Sequence, residues 1–348
     1  MNTIASSPLI RIFITCSLLF SNAAIADTDN RTGANFVSTF GYTNVIELSN
    51  QSTRVLLLPQ VGGKVLQYSY HGKDSLVVDA KDKGWHFDGS NQSTTFNSGG
   101  RFDIGSPAFL PDRRNLLLGH WHGEIIGDRQ ARLTSVKDPE TGLQIIRTFT
   151  LDSKSSRLRI DMRMTNYLKR EVTAHFWTRT FAKGGGKFVI PMTEGNIYPK
   201  GYTVFDVKQK SILLHPPADP HVHHQDGYFQ ITGQPQHQKF GIETYTDWAA
   251  YFIPNDLVML RQFQTFPDRA YTDLKSGTFS IYYNTSFKNH SVAEIEPMGP
   301  RERLKQGQSA YFTEVWTLAE YPFEQLSTPI SSAQIIPIEE QLKPILDR

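Results

Sequence analysis

The chain has 348 residues, of which 12% are aromatic and 20% are charged, so it can bury a large core and is not of the disordered class. Its formal net charge is only +2 and it contains no basic block, which argues against nucleic acid as a partner. After residue 26, no stretch is apolar enough to be a membrane-spanning helix.

Residues 1–26 are predicted to be a cleaved secretory signal. Arg11 is the only charged residue in this segment, an apolar run at residues 12–20 follows it, and residues 24–26 offer small side chains for cleavage after Ala26. Because the single cysteine, Cys16, lies inside the segment, the mature chain is expected to have no disulfide, no catalytic thiolate and no cysteine-bound zinc. We therefore expect a secreted or periplasmic protein.

A polar leader is expected over residues 27–43, followed by one domain of short strands over residues 44–320. Residues 80–119 and 215–224 are predicted to be irregular, and a short helix is expected in the tail at residues 321–348. Many short strands joined by Gly, Pro, Asn and Asp turns predict an all-β antiparallel sandwich. The predicted strands cover residues 45–50, 54–59, 64–70, 121–126, 131–136, 143–151, 157–166, 172–181, 228–231, 239–243, 249–252, 257–266 and 278–287.

Two glutamates precede Pro297. Glu294 and Glu296 are two residues apart, so on a strand both carboxylates face the same side. The simplest interpretation is a pair of exposed carboxylates on an edge strand, since glutamate is mostly exposed. In the last predicted strand, residues 311–318, Glu314 shares a face with apolar side chains and needs a partner if it is buried.

Two long segments carry a family resemblance. Residues 47–76 (ELSNQSTRVLLLPQVGGKVLQYSYHGKDSL) combine an asparagine turn, a strand and a pair of glycines, and residues 293–318 (AEIEPMGPRERLKQGQSAYFTEVWTL) combine a Glu-Pro step with a long last strand. In this order they resemble the galactose mutarotase-like (aldose 1-epimerase) superfamily over about residues 44–318. With residues 240–252 (FGIETYTDWAAYF), the chain is most similar to a secreted branch of unknown function. The resemblance implies an antiparallel β-supersandwich with a concave face that binds carbohydrate.

The resemblance also implies catalytic roles. Aldose epimerases of this superfamily use a glutamate base just before a proline-like step, and Glu296 matches it. Arg179 stands where their histidine acid is expected, and His175 lies four residues earlier on the same strand face. The resemblance therefore implies an aldose or uronate epimerase with Glu296 as general base and with His175 and Arg179 completing the site. Arginine is a poor proton donor, but its planar fork suits the anionic group of an acidic sugar.

Each of these roles has an alternative. For His175 the alternative is a buried structural histidine, which is the more common role of a histidine beside Phe176 and Trp177, and for Arg179 it is a salt bridge to an inward glutamate such as Glu314. A non-catalytic glycan-binding module on the same face, or a polysaccharide lyase or hydrolase, is the alternative function.

Further sugar contacts are expected from charged and aromatic residues. The two tryptophans among them either stack on sugar rings or pack in the core. His221, His223 and His224 lie in a proline-rich loop without acidic ligands nearby, so no metal site is predicted, and no cofactor either. We expect a monomer or a weak dimer. The predicted substrate-binding residues are Arg101, Asp103, His120, His122, Trp177, Trp248 and Glu294.

Overall fold

The computed structural model describes residues 31–89, 97–105, 110, 112–271, 277–287, 290–324 and 328–342. The predicted signal, with its cleavage position, lies outside the described residues. Within them most of the chain is β-strand, and no helix is long and apolar enough to cross a membrane. In chain order the elements are β1 (Ala34–Thr39), β2 (Tyr42–Ser49), β3 (Thr53–Leu58), β4 (Lys64–Tyr70), β5 (Lys73–Asp74), a 3-10 turn (Ala80–Asp82), β6 (Gly100–Gly105), α1 (Arg114–Leu118), β7 (His122–Gly127), β8 (Gln130–Thr134), β9 (Leu143–Leu151), β10 (Leu158–Asn166), β11 (Val172–Lys183), β12 (Lys187–Pro191), β13 (Tyr202–Asp206), β14 (Ser211–Leu213), β15 (Val222–Gln225), β16 (Tyr228–Ile231), β17 (Lys239–Ile242), β18 (Trp248–Ile253), β19 (Leu257–Phe263), β20 (Phe279–Phe287), β21 (His290–Pro297), β22 (Glu302–Leu304), β23 (Ser309–Glu320) and α2 (Ser332–Leu342).

Two antiparallel sheets pack face to face. The first has the order β1-β2-β3-β4-β6-β11-β21-β20-β17-β13-β14, with β5 beside β4 and β22 beside β11. The second has the order β15-β16-β12-β18-β19-β23-β10-β9-β8-β7. The main hydrophobic core lies between them, where Phe176 of the first sheet stacks on Phe312 of the second with 5.6 Å between ring centroids. The predicted all-β antiparallel sandwich is confirmed.

Burial patterns follow from which faces are covered. Strands β9 and β10 bury every second residue, because only one of their faces meets the core. Strands β18 and β19 are buried along their whole length. A second apolar cluster, which includes Trp248 together with Ile330 and Ile335 from the C-terminal segment, covers their other face. This explains why these strands lack the alternation of half-buried ones.

Three observed strands lie in segments that the sequence assigned to a leader or to irregular structure, and β12, β13, β14 and β22 were not predicted. Strand β1 lies within the segment assigned to a leader, β6 lies within the irregular region at residues 80–119, and β15 overlaps the predicted histidine loop. Strand β6 reads Gly-Arg-Phe-Asp-Ile-Gly, a composition typical of a loop. It is a strand because β11 and β4 pair with it from either side, which the local sequence does not reveal.

A buried ion pair lies behind β11. Glu314 of β23 and Arg261 of β19 are both fully buried, and the guanidinium donates to the carboxylate. Thr178 donates to the same carboxylate, and Nη1 of Arg261 donates to Oγ1 of Thr180 at 2.7 Å. The expectation that Glu314 needs a partner is confirmed. The alternative of a salt bridge from Arg179 to Glu314 is wrong. Thr178 and Thr180 face the buried ion pair, whereas Arg179 points to the opposite face of β11.

Gly62 precedes β4 in a left-handed conformation, with φ +61°, and a Cβ there would lie 2.0 Å from the carbonyl oxygen of Leu117. Gly62→Ala is therefore expected to lower the free energy of unfolding by more than the ~1–2 kcal/mol that a left-handed backbone alone costs. Gly72→Ala is the matched control, since Gly72 has φ +77° and nothing within 4 Å of an added Cβ. Urea unfolding compares the two variants, and equal losses would contradict the predicted clash.

Candidate functional site

Strand β11 forms the centre of the candidate site. Its side chains alternate, so Trp177 and Arg179 lie on the face turned away from the main core, whereas Phe176 enters that core. The β11–β21 register pairs Thr180 with Ile295, which places Arg179 beside Glu296. The β11–β6 register places Trp177 beside Asp103 and Arg179 beside Arg101. Three adjacent strands therefore bring charged side chains to one sheet face.

Glu296 lies on this face and is fully buried. Lys239 of β17 donates to both carboxylate oxygens, at 2.8 Å to Oε1 and 2.6 Å to Oε2. The indole Nε1 of Trp177 donates to Oε2 at 2.8 Å, and Nε of Arg179 lies 3.9 Å from Oε1. Burial opposes ionisation, but Lys239 and Arg179 outweigh it and hold the pKa of Glu296 well below the usual glutamate range. The carboxylate is therefore ionised at neutral pH.

Glu294 is 3% exposed, and Nη2 of Arg179 donates to its Oε2 at 2.9 Å. The same guanidinium lies 3.9 Å from Oε1 of Glu296, so Arg179 contacts both carboxyl groups. Burial raises the pKa of Glu294; the positive charge of Arg179 opposes the rise and the negative charge of Glu296 adds to it. The interpretation of two exposed carboxylates on an edge strand is wrong, because β21 lies between β11 and β20 inside the first sheet.

Further ionisable side chains lie beside Glu294, Glu296, Arg179 and Lys239, and together they form a charged cluster. Asp103 is 2% exposed and accepts two hydrogen bonds from Arg113, at 2.7 and 3.3 Å. The guanidinium carbon of Arg101 lies 5.8 Å from the centroid of the Phe181 ring. Lys64 of β4 is fully buried, and burial lowers its pKa to about 7. Asp103 and Arg101 thus lie on the predicted face, where Asp103 binds an arginine of the chain itself.

His175 and Trp177 are enclosed by other residues of the protein. Burial, with a smaller effect of Arg113, lowers the pKa of His175 to about 4, so its imidazole is neutral at pH 7. Its ring covers Gly105, where an added Cβ would lie 1.8 Å from Nε2. The indole of Trp177 has the Arg179 guanidinium carbon 4.9 Å from its centroid and Nζ of Lys239 at 5.6 Å. Trp177 therefore orients charged groups rather than offering an open stacking face.

Three of the residues predicted to contact sugar lie outside this charged cluster. Trp248 packs in the second apolar cluster, covered by residues of the C-terminal segment, which favours its core interpretation. His120 and His122 are exposed on either side of buried Trp121, and they line an open cleft with Phe36. The histidines at positions 223 and 224 lie on β15. In the part of the chain that the structure describes, no three His, Cys, Asp or Glu side chains are arranged to hold a metal ion.

Sequence reasoning missed Lys239 and Arg113. Lys239 begins β17, 57 positions before Glu296 in the chain, and Arg113 precedes α1 inside the region predicted to be irregular. The strand pattern of residues 239–243 was readable, but no local signal indicates that β17 lies next but one to β21. Only the order of the sheet brings the ammonium to the carboxylate.

Comparisons with known proteins support the fold. No protein-family model matches the chain, and no curated protein sequence matches it. It is similar to the structure of a proposed aldose 1-epimerase from Escherichia coli K12, with a TM-score of 0.55 and 12% identity over 79% of this chain and 99% of that one. It is also similar to a galactose mutarotase-like protein from Lactobacillus casei ATCC 334, with a TM-score of 0.55 and 11% identity over 79% and 100% of the two chains. A protein from Synechocystis sp. PCC 6803 has a TM-score of 0.56 and 13% identity over 82% and 99%. The chain therefore has the galactose mutarotase-like β-sandwich fold.

Proposed function

We propose that the protein acts on carbohydrate at the face around Glu296, as an aldose or uronate epimerase of the mutarotase type. The observation that carries the proposal is the ionised carboxylate of Glu296, which lies beside Trp177, Arg179 and Lys239 on one sheet face. Opening the ring of an aldose requires a base for the proton of the anomeric hydroxyl, and Glu296 supplies it. From the predicted signal at residues 1–26, we further propose a secreted or periplasmic site of action.

The accessible groups of the site favour an acidic sugar. The side chains of Arg179 and Lys239 are 20% and 15% exposed, whereas those of Glu294 and Glu296 are 4% and 0% exposed. An approaching ligand meets a guanidinium and an ammonium before it meets a carboxylate. These groups suit the carboxylate of a uronate better than a neutral sugar.

Glu296→Gln is expected to reduce catalysed anomer exchange by at least ~10²-fold, because it removes the base and keeps the side-chain volume. NMR exchange measurements over a panel of neutral aldoses and uronates test this, with the largest acceleration expected for uronates. Glu243→Gln is the control, since Glu243 is buried but accepts from the backbone N–H of Ile197 at 2.6 Å. Equal exchange with and without the wild-type protein, for every sugar, would remove the epimerase proposal.

A glycan-binding module without turnover is the second candidate. It is favoured by the complete burial of Glu296 under Lys239 and by arginine at position 179, where the superfamily's epimerases are expected to carry histidine. Calorimetric binding of uronates without any acceleration of anomer exchange would favour this candidate over the epimerase.

A further inference from the structure

Glu294 and Glu296 form a pair of buried carboxyl groups, of which the proposed base chemistry uses only one. We propose that Glu294 carries a proton, donates it in a hydrogen bond to Glu296, and serves as the general acid for the ring oxygen of the sugar. The acid role rests on the proposed epimerase function, whereas the shared proton does not depend on it.

The geometry of β21 brings the two groups together. They are two residues apart on one strand face and are 3% and 0% exposed. One guanidinium reaches both: Nη2 of Arg179 lies 2.9 Å from Oε2 of Glu294, and its Nε lies 3.9 Å from Oε1 of Glu296. Two ionised carboxylates at that separation repel strongly when water is excluded. A single proton between them removes the repulsion and turns the contact into a hydrogen bond, as in other buried carboxyl pairs.

The cations are distributed unequally over the pair. Lys239 donates to both oxygens of Glu296, at 2.6 and 2.8 Å, and Trp177 donates a third hydrogen bond. Glu294 receives one hydrogen bond from Arg179, to Oε2, which leaves Oε1 for a proton. The negative charge is therefore stabilised on Glu296. Burial raises the pKa of Glu294, in agreement with this assignment.

The other ionisable groups of the cluster do not reverse that assignment. On β6, Asp103 is bound to Arg113, and the guanidinium of Arg113 offsets the negative charge of the aspartate. Nη1 of Arg179 lies 3.9 Å from Oδ2 of Asp103, so Arg179 divides its charge among three carboxyl groups rather than serving Glu294 alone. Arg101 on β6 lies beside Arg179 in the register, and Lys64 on β4 is buried nearby. Tyr282 of β20 lies opposite Glu294 in the register.

The alternative proton donors are less suitable. His175 is neutral at pH 7, because burial lowers its pKa to about 4, and its ring covers Gly105. Arg179 stays charged and is a poor acid. The ammonium of Lys239 is held by both oxygens of the base itself. Glu294 is the neutral donor next to Glu296.

The step balances without any co-reactant. Glu296 takes the proton of the anomeric hydroxyl, the C1–O1 bond becomes a carbonyl, the bond from C1 to the ring oxygen breaks, and the proton of Glu294 moves to that oxygen. Rotation about the C1–C2 bond turns the other face of the aldehyde toward the ring hydroxyl. Closure then returns one proton to Glu294 and one to the new anomeric hydroxyl, so both residues regain their starting states.

Infrared difference spectroscopy and anomer-exchange NMR test the two parts of the proposal separately. Wild-type protein is expected to show the carbonyl-stretch band of a protonated carboxyl group well above the pH at which an ordinary glutamate ionises. Glu294→Gln should lose that band and reduce exchange by at least ~10²-fold, while uronate binding persists. Glu243→Gln should retain both the band and the exchange rate, and urea unfolding verifies that each variant is folded.

Three outcomes would overturn the proposal. A spectrum of Glu294→Gln that is unchanged in the protonated-carboxyl region would show that Glu294 is ionised. A band lost in Glu294→Gln together with unchanged exchange would leave a structural proton and exclude the acid role. If wild-type protein accelerates the anomer exchange of no sugar, both the epimerase proposal and the acid role of Glu294 are removed. The infrared band of the protonated carboxyl group then still decides whether Glu294 carries the shared proton.

Discussion

Arg261→Met is expected to lower the free energy of unfolding by about 3–5 kcal/mol, because it leaves the carboxylate of Glu314 buried without its cation. Both side chains are 0% exposed, so water cannot replace the lost guanidinium. Arg261 also donates to Thr180 at 2.7 Å and lies with its guanidinium carbon 4.1 Å from the centroid of the Trp316 ring. The measurement is urea unfolding at neutral pH, with the midpoint and slope compared against wild type.

The matched control is the double variant Arg261→Met with Glu314→Gln. A glutamine at position 314 carries no charge. Its amide oxygen can accept from Nε1 of Trp316, which donates to Glu314 at 2.8 Å in the native chain, while its NH2 group donates to the hydroxyl of Thr178. The double variant is therefore expected to be more stable than Arg261→Met alone. If the second substitution brings no recovery, the loss comes from packing and not from an uncompensated charge.

Lys239→Met is expected to have the second largest effect, a loss of ~3 kcal/mol of unfolding free energy at neutral pH together with loss of the base. This loss lies at the lower end of the range expected when one partner of a buried ion pair is removed. The reason is that the side chain of Lys239 is 15% exposed and Glu296 keeps its hydrogen bond from Trp177. Without the ammonium the pKa of Glu296 rises. Anomer exchange should therefore fall at neutral pH, and Lys239→Arg should restore part of it.

The pH dependence of that variant has a defined sign. In the wild type the folded-state pKa of Glu296 is depressed, so its stabilisation is present above the unfolded value of 4.5 and is lost as the pH falls toward the folded value. The difference in stability between wild type and Lys239→Met should accordingly shrink as the pH is lowered below 4.5. A gap that stays constant from neutral to acidic pH would contradict the assignment of Lys239 as the partner that keeps Glu296 ionised.

Half-buried strands were readable from the sequence because one buried face imposes alternation with period two. Strand β9 alternates in this way, and its predicted bounds agree with the observed ones. The bounds of β4 and β16 also agree, although these two strands are buried along most of their length. Glu294 and Glu296 were placed on one strand face because of the same period-two alternation. The need of Glu314 for a partner also followed from its apolar neighbours, although the identity of that partner did not. Strand β6 was not predicted, because its sequence has the composition of a loop and forms a strand only through pairing with β4 and β11.

The sequence by itself determined the fold class and the face shared by the two glutamates. The tertiary structure alone decided that Lys239 covers Glu296, that Arg179 binds Glu294, and that Arg261 neutralises Glu314. The reason is physical: periodicity is a property of a single strand, whereas the order of strands in a sheet depends on packing of the whole core. Burial and ion pairing arise from that order, and they set the charge of each carboxyl group.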